Sequence, residues 1–259
     1  MSTEIGIIGG TGIYDAKLVN NLRKVKIDYP YGEASDFFYV GEFKNKKTVF
    51  LPRHGKTHTI PPHEINFKAN ISGFKELGVN RIIACCATGS LQKELKPGDI
   101  VIPDQFIDWR KRGVTFYDTG NVAHVSLADP FCPELRQLLI ESCKSLGIKC
   151  HKKGTYVCIE GPRFSTRAES RMFRNLGDVI GMTGIPEAIL AREKEICFAI
   201  IATVTDFDVW AETPVSTDGI VKVMKENTEK VRSILEETIP KIPEKRNCVC
   251  KDALKDAFV

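Results

Sequence analysis

Short apolar runs alternate with amphipathic stretches along almost the whole chain, and this alternation constrains the fold more than any other feature. Short runs rich in β-branched residues are typical of buried strands, whereas apolar residues three and four apart are typical of helices packed on one side. A chain that alternates the two forms layers, with a largely parallel sheet between helices. We therefore predict an α/β fold with a central mixed, largely parallel twisted sheet flanked by helices. The predicted strands are 5–9, 49–52, 82–86, 100–107, 156–159, 179–182 and 198–204, and the predicted helices are 63–77, 133–146, 166–176, 186–195 and 216–239.

The domain organisation predicted from the sequence is simple. The chain has 259 residues, of which 42% are hydrophobic, and this is enough for one sizeable core. No internal repeat, low-complexity segment or linker precedes Pro240. We predict one domain over residues 1–259, with 240–259 as a C-terminal tail.

Composition argues against several classes of partner. The longest apolar stretches are far shorter than the roughly 20 residues that a membrane-spanning helix needs. The first predicted strand begins too early for a secretory signal to precede it, which favours a cytoplasmic protein. The formal net charge of +4, without a long run of one sign, is typical of an ordinary surface and does not indicate nucleic acid.

Seven of the nine cysteines are scattered through predicted strands and helices, a pattern typical of reduced thiols packed in a core. Cys248 and Cys250 instead stand together near the C-terminus. A disulfide between them could form in an organism whose intracellular proteins are rich in disulfides. The sequence leaves their redox state open.

Two polar segments follow predicted strands and offer hydrogen-bond donors to an anion. Residues 9–12 form a glycine loop, so their backbone N–H groups and the Thr11 hydroxyl can approach an anion closely. Arg53 and His54 follow the second predicted strand, where a guanidinium binds phosphate oxygens in pairs. A tight turn and a surface arginine are the structural alternatives. His54, His58 and His63 lack the spacing and the cysteine partners of a zinc site, so we predict no metal there.

Two more segments follow strands and lead into helices. Phe164 and Ser165 precede a helix that Thr166 and Glu169 are predicted to start as a capping box. An aromatic face in such a loop can stack on a nucleobase, although Phe164 packed in the core is the alternative. Thr183 presents a hydroxyl at the next strand end.

Asp206 and Asp208 end the most apolar of the predicted strands. Pairing with a basic neighbour is the structural alternative for these carboxylates. Ligands of open α/β sheets bind beyond the carboxyl ends of the strands. We therefore expect the two aspartates and the four polar segments above to converge on one pocket.

Long motifs in a fixed order then identify a resemblance that covers about residues 5–239. The chain resembles the trimeric purine nucleoside phosphorylase family, whose members cleave nucleosides with inorganic phosphate. The resemblance is closest to members that use 5′-methylthioadenosine and carry a C-terminal CxC tail. The motifs that carry it are IGIIGGTG, PRHGKTHTIPPHEINFKANI, ATGSL, PGDIVIPDQFID, DPFCPELR, IEGPRFSTRAES, GMTGIPEA and VTDFDVW.

The resemblance implies a phosphate site. Its expected members are Thr11, Arg53, His54, Cys86, Ala87 and Thr183. Cys86 departs from the family pattern, which has threonine or serine there, and a thiol donates a much weaker hydrogen bond.

The resemblance also implies a nucleoside site. Met182 is expected beneath the ribose, and Phe164 and Ser165 at the base. Asp206 is expected to be the catalytic acid beside N7 and Asp208 to accept from the 6-amino group. To hold its proton, Asp206 needs a pKa raised by burial and by the second carboxylate. Family members that use 6-oxopurines resemble this chain but carry asparagine at the first aspartate.

The 5′ end of the sugar and the assembly follow from the same resemblance. The expected 5′ pocket comprises Thr217, Ile220 and Val221, with His124 from a neighbouring subunit. A homotrimer or a dimer of trimers is expected, and phosphate is a co-substrate, so no cofactor is implied.

Three alternatives stay open from the sequence. The first is a broader purine nucleoside phosphorylase acting on adenosine, inosine or guanosine. The second is a nucleosidase that uses water in place of phosphate. The third is a nucleotide-sensing module without catalysis, which needs the glycine loops but no buried acid.

Overall fold

The central element of the fold is a long apolar strand with parallel neighbours on both sides. A computed structural model describes residues 4–9, 20–28, 30–211 and 217–259, which form eleven strands and five α-helices. The strands are β1 (Glu4–Gly9), β2 (Asn20–Val25), β3 (Phe38–Phe43), β4 (Lys46–Pro52), β5 (Val79–Ser90), β6 (Ile100–Val101), β7 (Gln105–Asp108), β8 (Cys150–His151), β9 (Thr155–Cys158), β10 (Val179–Gly181) and β11 (Cys197–Asp206). The helices are α1 (Phe67–Glu76), α2 (Pro133–Ser145), α3 (Arg167–Phe173), α4 (Gly184–Glu193) and α5 (Thr217–Thr238).

The strands form one mixed sheet, as predicted. The order is β2-β3-β4-β1-β5-β10-β9-β7, and β11 pairs with β5 and carries β6 and β8 beyond it. β5 is parallel to β1 and β11, β1 is parallel to β4, and β9 is parallel to β7 and β10. The pairs β2–β3, β3–β4, β5–β10 and β6–β11 are antiparallel.

Alternation along β5 and β11 explains why these strands are apolar at nearly every position. Ile82, Ala84 and Cys86 belong to one buried cluster, while Ile83 and Cys85 belong to another. Successive side chains point to opposite faces of a sheet, so a continuous apolar run buries both faces. Helices α1 and α4 contribute to the first cluster, and α2 and α5 contribute to the second.

Three sequence predictions need correction. The predicted strand 100–107 is two strands, β6 and β7, separated by a segment containing Pro103, which has no N–H to donate to a sheet. The predicted helix 63–77 begins later: Pro62–Glu64 is a 3₁₀ turn, and the Asn66 side chain caps α1 by accepting from Ala69 N at 3.1 Å. Strands β2, β3 and β8 were not predicted.

The C-terminal residues pack against the main sheet. They contain the 3₁₀ turns Ile239–Lys241 and Val249–Asp252, and Ile242, Cys248 and Cys250 are buried in the same cluster as α2 and α5. None of the helices in the described residues combines the length and the apolar character needed to cross a membrane.

Candidate active site

Strand ends and adjoining loops meet around one cavity of about 650 Å³. β4 and β11 each deliver side chains at their carboxyl ends, β5 contributes residues 85–89 from its second half, and the loops after β9 and β10 close the wall. The predicted convergence is therefore present in the structure. The sequence-predicted residues that line the cavity are Arg53, His54, Cys86, Ala87, Phe164, Ser165, Met182, Thr183, Asp206 and Asp208.

Arg53 is buried and held in a fixed orientation. Its Nε and Nη2 donate to the two carboxylate oxygens of Glu187 at 2.5 and 2.8 Å, and Nη1 donates to Cys85 O at 3.0 Å. Burial by itself lowers the pKa of Arg53, but the Glu187 carboxylate, with smaller contributions from Cys86 and Tyr156, outweighs it, so the pKa is raised and the guanidinium stays charged. The surface-arginine alternative is wrong, because Arg53 is only 2% exposed.

Glu187 was missed by the sequence analysis. It lies in the first turn of α4 and is fully buried. A carboxylate is almost never buried without a partner. A glutamate inside the otherwise apolar stretch 184–191 was therefore a readable signal for a buried cation.

Cys86 and Thr183 face each other beside the guanidinium. Thr183 Oγ1 donates to Cys86 Sγ at 3.9 Å, and Arg53 Nη2 donates to the same sulfur at 3.7 Å. Burial raises the pKa of the Cys86 thiol, which keeps it neutral. The Thr183 hydroxyl stands at the N-terminus of α4 and makes no capping hydrogen bond. Its long hydrogen bond to sulfur is weak, so a ligand oxygen can replace Cys86 Sγ as its acceptor.

His54 enters the cavity as a neutral ring with a defined tautomer. Its Nδ1 lies 2.8 Å from Ile60 O, and a carbonyl only accepts, so Nδ1 carries the proton. Burial and the nearby Arg53 charge lower the pKa of His54 to about 4. Nε2 is then an acceptor at neutral pH. His58 stacks on His54 with ring centroids 4.5 Å apart.

Asp206 follows an irregularity in the pairing of β11 with β5. Its carboxylate accepts from Thr205 Oγ1 and from Asp208 N, each at 2.7 Å. Burial raises the pKa of Asp206 against these two hydrogen bonds. The negative charge of Asp206 adds to the burial that raises the pKa of Asp208, so the two carboxyl groups interact.

The turn that carries Asp208 is fixed from three sides. Asp208 has a left-handed backbone with φ of 50°, which aspartate tolerates better than most residues. Ser170 Oγ donates to its carboxylate at 2.5 Å, and Trp210 Nε1 donates to Ser90 O at 2.7 Å. Gly89 admits both carboxylates, since an added Cβ would stand 3.0 Å from Asp206 Oδ1. In the described residues these carboxylates meet hydroxyl and backbone N–H donors, which contradicts the ion-pair alternative.

Phe164 and Ser165 line the cavity from the loop that precedes α3. Phe164 is 57% exposed, so its alternative role as a core residue is wrong. The Ser165 hydroxyl is buried and makes no hydrogen bond, which leaves it free for a ligand. The predicted capping box is confirmed: Thr166 Oγ1 accepts from Glu169 N at 3.1 Å and the Glu169 carboxylate accepts from Thr166 N at 2.7 Å.

Helix α5 contributes residues further along than predicted. Met224, Asn227, Thr228 and Val231 line the cavity. Asn227 Nδ2 donates to Val204 O at 3.0 Å and so ties α5 to the end of β11. Sequence reasoning missed these residues because helical spacing alone does not say which turn of the helix reaches the pocket.

Several predicted residues are not placed in the cavity. Thr11 lies outside the described residues, as do the side chains of Thr217, Ile220 and Val221 at the start of α5. His124 is exposed on this chain and does not line its cavity, and its backbone N donates to Ala257 O at 2.7 Å. Its predicted role in a neighbouring subunit's site stays a prediction.

The α/β fold carries one pocket at its strand ends, and that pocket combines a buried cation, Arg53, with the carboxyl groups of Asp206 and Asp208. Such a pocket is typical of an enzyme that binds an anion beside a group that it protonates. The sequence profile of the phosphorylase superfamily matches residues 4–240, and the chain belongs to that family.

Relatives within the family are similar over their whole length. The S-methyl-5′-thioadenosine phosphorylase of Pyrococcus abyssi (strain GE5 / Orsay) is 58% identical over 99% of both chains. That of Nitrosopumilus maritimus (strain SCM1) is 57% identical over 98% of this chain and 97% of its own.

Two solved structures of methylthioadenosine phosphorylases are also similar to this chain over nearly its whole length. A methylthioadenosine phosphorylase from an antarctic soil metagenomic library is 45% identical, with a TM-score of 0.95, covering 100% of this chain and 93% of its own. The methylthioadenosine phosphorylase of Schistosoma mansoni in complex with adenine is 36% identical, with a TM-score of 0.89, covering 98% and 96%.

Proposed function

We propose that this chain is a pentosyltransferase that cleaves 5′-methylthioadenosine with inorganic phosphate, giving adenine and 5-methylthioribose 1-phosphate in purine and methionine salvage. The observation that carries the proposal is the single cavity with Arg53 and Thr183 on one side and Asp206 and Asp208 on another. The relatives' names supply the substrate. The reaction is inferred from the cavity itself, where the Arg53 side binds phosphate and the aspartate side binds the base.

Phosphate binds at the Arg53 side. Glu187 neutralises the guanidinium's charge in the free protein and fixes its plane, so phosphate meets a pre-oriented donor rather than a mobile one. Thr183, the Ala87 backbone and Thr11 provide further donors. His54 Nε2 accepts from a protonated phosphate oxygen, since its own proton is engaged by Ile60.

The base binds at the aspartate side. Burial raises the pKa of Asp206, which favours its protonated form, and the carboxylic acid donates its proton to N7 as the bond between N9 and C1′ breaks. Asp208 accepts from the exocyclic amine, and Ser170 fixes its orientation. A 6-oxopurine turns an acceptor towards these carboxylates, which costs about 1–3 kcal/mol.

The sugar lies between the two ends, over Met182. A phosphate oxygen attacks C1′ while positive charge develops on the ribose, and the bound anion stabilises that charge. The reaction needs phosphate as co-substrate and no cofactor. Phe164 and Ser165 cover the base.

The 5′-methylthio group occupies an apolar pocket formed by Thr217, Ile220 and Val221, completed by His124 of a second copy. Met224 and Val231, in the described part of α5, present apolar side chains to the cavity, which favours a thioether over a hydroxyl that needs a partner. This pocket requires an oligomer, a homotrimer or a dimer of trimers. We place the enzyme in the cytoplasm.

Steady-state assays test the proposal. 5′-Methylthioadenosine, adenosine, inosine and guanosine are each supplied with and without phosphate, and release of the free base is measured. We expect adenine release from methylthioadenosine to require phosphate, with a higher kcat/KM than for adenosine and still lower values for the 6-oxopurines. Undiminished release in phosphate-free buffer identifies a nucleosidase. Equal kcat/KM values across the four nucleosides identify a broader phosphorylase, and binding without any release identifies a sensing module.

A further inference from the structure

The two C-terminal cysteines lie against two other thiols. The Sγ atoms of Cys132, Cys197, Cys248 and Cys250 all lie within 4.8 Å of one another, and those of Cys197 and Cys248 are 3.3 Å apart. All four side chains are buried. We call this group the thiol cluster. It is separate from the cavity and takes no part in the proposed reaction.

The thiol cluster joins three parts of the chain that are distant in sequence. Cys132 precedes α2, Cys197 begins β11, and Cys248 and Cys250 flank the start of the 3₁₀ turn Val249–Asp252. The backbone N of Cys132 donates to Phe198 O at 2.8 Å, which fixes the first two parts against each other. The remaining cysteines arrive from the C-terminal segment and so attach it to the sheet.

The spacing of the four sulfurs suits one tetrahedral metal ion. Zinc binds thiolate sulfur at about 2.3 Å, which places the sulfurs of a tetrahedral site about 3.8 Å apart. The observed spacing, from 3.3 Å for the shortest recorded pair to at most 4.8 Å, brackets that value. We propose that the thiol cluster is a structural zinc site with all four cysteines as ligands.

A backbone donor accompanies the four sulfurs, because the backbone N–H of Cys250 forms a hydrogen bond with the Cys248 sulfur. A sulfur that accepts a backbone N–H is a suitable zinc ligand, because such outer hydrogen bonds orient and stabilise it. Zinc binding releases the thiol protons to solvent, with no change in the oxidation state of any sulfur.

The site is structural rather than catalytic for two reasons. Four protein ligands leave no open position for a substrate or water. Cys197 begins β11 and Asp206 ends it, so the thiol cluster and the proposed acid are nine residue steps apart along the strand, or roughly 30 Å. The zinc acts by holding the C-terminal segment against α2 and β11.

Metal analysis of the full-length protein tests this proposal. The untagged protein is purified with a reductant, saturated with zinc and desalted, and zinc per chain is measured by plasma mass spectrometry. We expect one zinc per chain in the wild type and its loss in the double variant Cys248→Ser/Cys250→Ser. Cys150→Ser is the matched control, since Cys150 lies outside the cluster, and it should keep its zinc. Chelation should lower the Tm of the wild type and of the control but not that of the double variant.

Two further measurements keep the proposal falsifiable if the double variant does not fold. Replacing zinc by Co²⁺ in the wild type should give the absorption bands of a tetrahedral cobalt thiolate. Thiols trapped at cell lysis should be counted by intact mass. Reduced wild-type protein without bound zinc and without the cobalt bands overturns the proposal. An intact mass four hydrogen atoms lighter than that of the fully reduced chain identifies two disulfides, and it also overturns the proposal.

Discussion

Replacing Asp206 with asparagine removes the proposed acid while keeping its hydrogen bonds. The Asp208 N–H requires an oxygen, so the amide oxygen of the new side chain takes that position. The amide NH₂ then faces Thr205 Oγ1, which can accept it because that hydroxyl can donate to Thr88 O at 3.2 Å. The neutral amide also carries no charge that burial would penalise. We therefore expect the free energy of unfolding to change by less than about 1 kcal/mol.

Activity should respond very differently. A positioned general acid contributes about 10²–10⁴-fold to the rate, which corresponds to about 2.7–5.4 kcal/mol of transition-state stabilisation. We expect kcat/KM for 5′-methylthioadenosine to fall by that factor in Asp206→Asn. The amide can donate to a 6-carbonyl oxygen, so the inosine-to-adenosine ratio of kcat/KM should rise.

The assay is base release at saturating phosphate, with Tm measured in parallel. Asp104→Asn is the control, because the Asp104 carboxylate also accepts a backbone N–H, from Gly154 at 3.0 Å, but lies outside the cavity. It should keep wild-type activity. A folded Asp206→Asn enzyme with kcat/KM within about threefold of wild type would refute the assignment of the acid, since even the lower limit for a general acid is about 10²-fold.

Three further predictions concern the phosphate side. Glu187→Gln removes one charged partner of a buried pair with Arg53. It should lower the free energy of unfolding by up to about 3–5 kcal/mol, measured by thermal denaturation. It should also raise the KM for phosphate, measured from initial rates, and an unchanged KM would mean that Glu187 does not orient Arg53. Cys86→Thr supplies a stronger donor and should lower the KM for phosphate by roughly 2–10-fold, as expected for one net hydrogen bond, and a raised KM would contradict the site. The pKa of His54 falls from 6.5 to about 4 on folding, so the unfolded chain takes up the proton first as pH falls; stability present above pH 6.5 should decrease by up to roughly 3 kcal/mol towards pH 4. His54→Asn should flatten that part of a denaturant-based pH profile, and an unchanged profile would refute the assigned pKa.

The fold was predictable where a segment is buried on both faces. β5 and β11 are apolar at nearly every position, so their existence follows from the sequence alone, although β5 extends beyond the predicted 82–86. β2 was missed because each of its residues is exposed or half-exposed, which leaves no apolar signal. β3 did carry a signal, an aromatic and β-branched run that is buried at five of six positions, and the prediction overlooked it.

Some residues of the candidate site could likewise be predicted from the sequence, and others could not. Arg53, Thr183 and the aspartates were found because each follows a strand, and strand ends are local features of a sequence. Asn227 and its neighbours were missed because the position of α5 along the sheet depends on packing.

The sequence by itself determined the layered fold, the strand ends that carry the chemistry and the residue types available there. Only the tertiary structure decided which distant groups become partners. Arg53 and Glu187 are 134 residues apart, and the thiol cluster draws on three separate segments. The physical reason is that strand and helix patterns repeat over a few residues, whereas a buried charge or thiol is stabilised by whatever the folded chain brings to it.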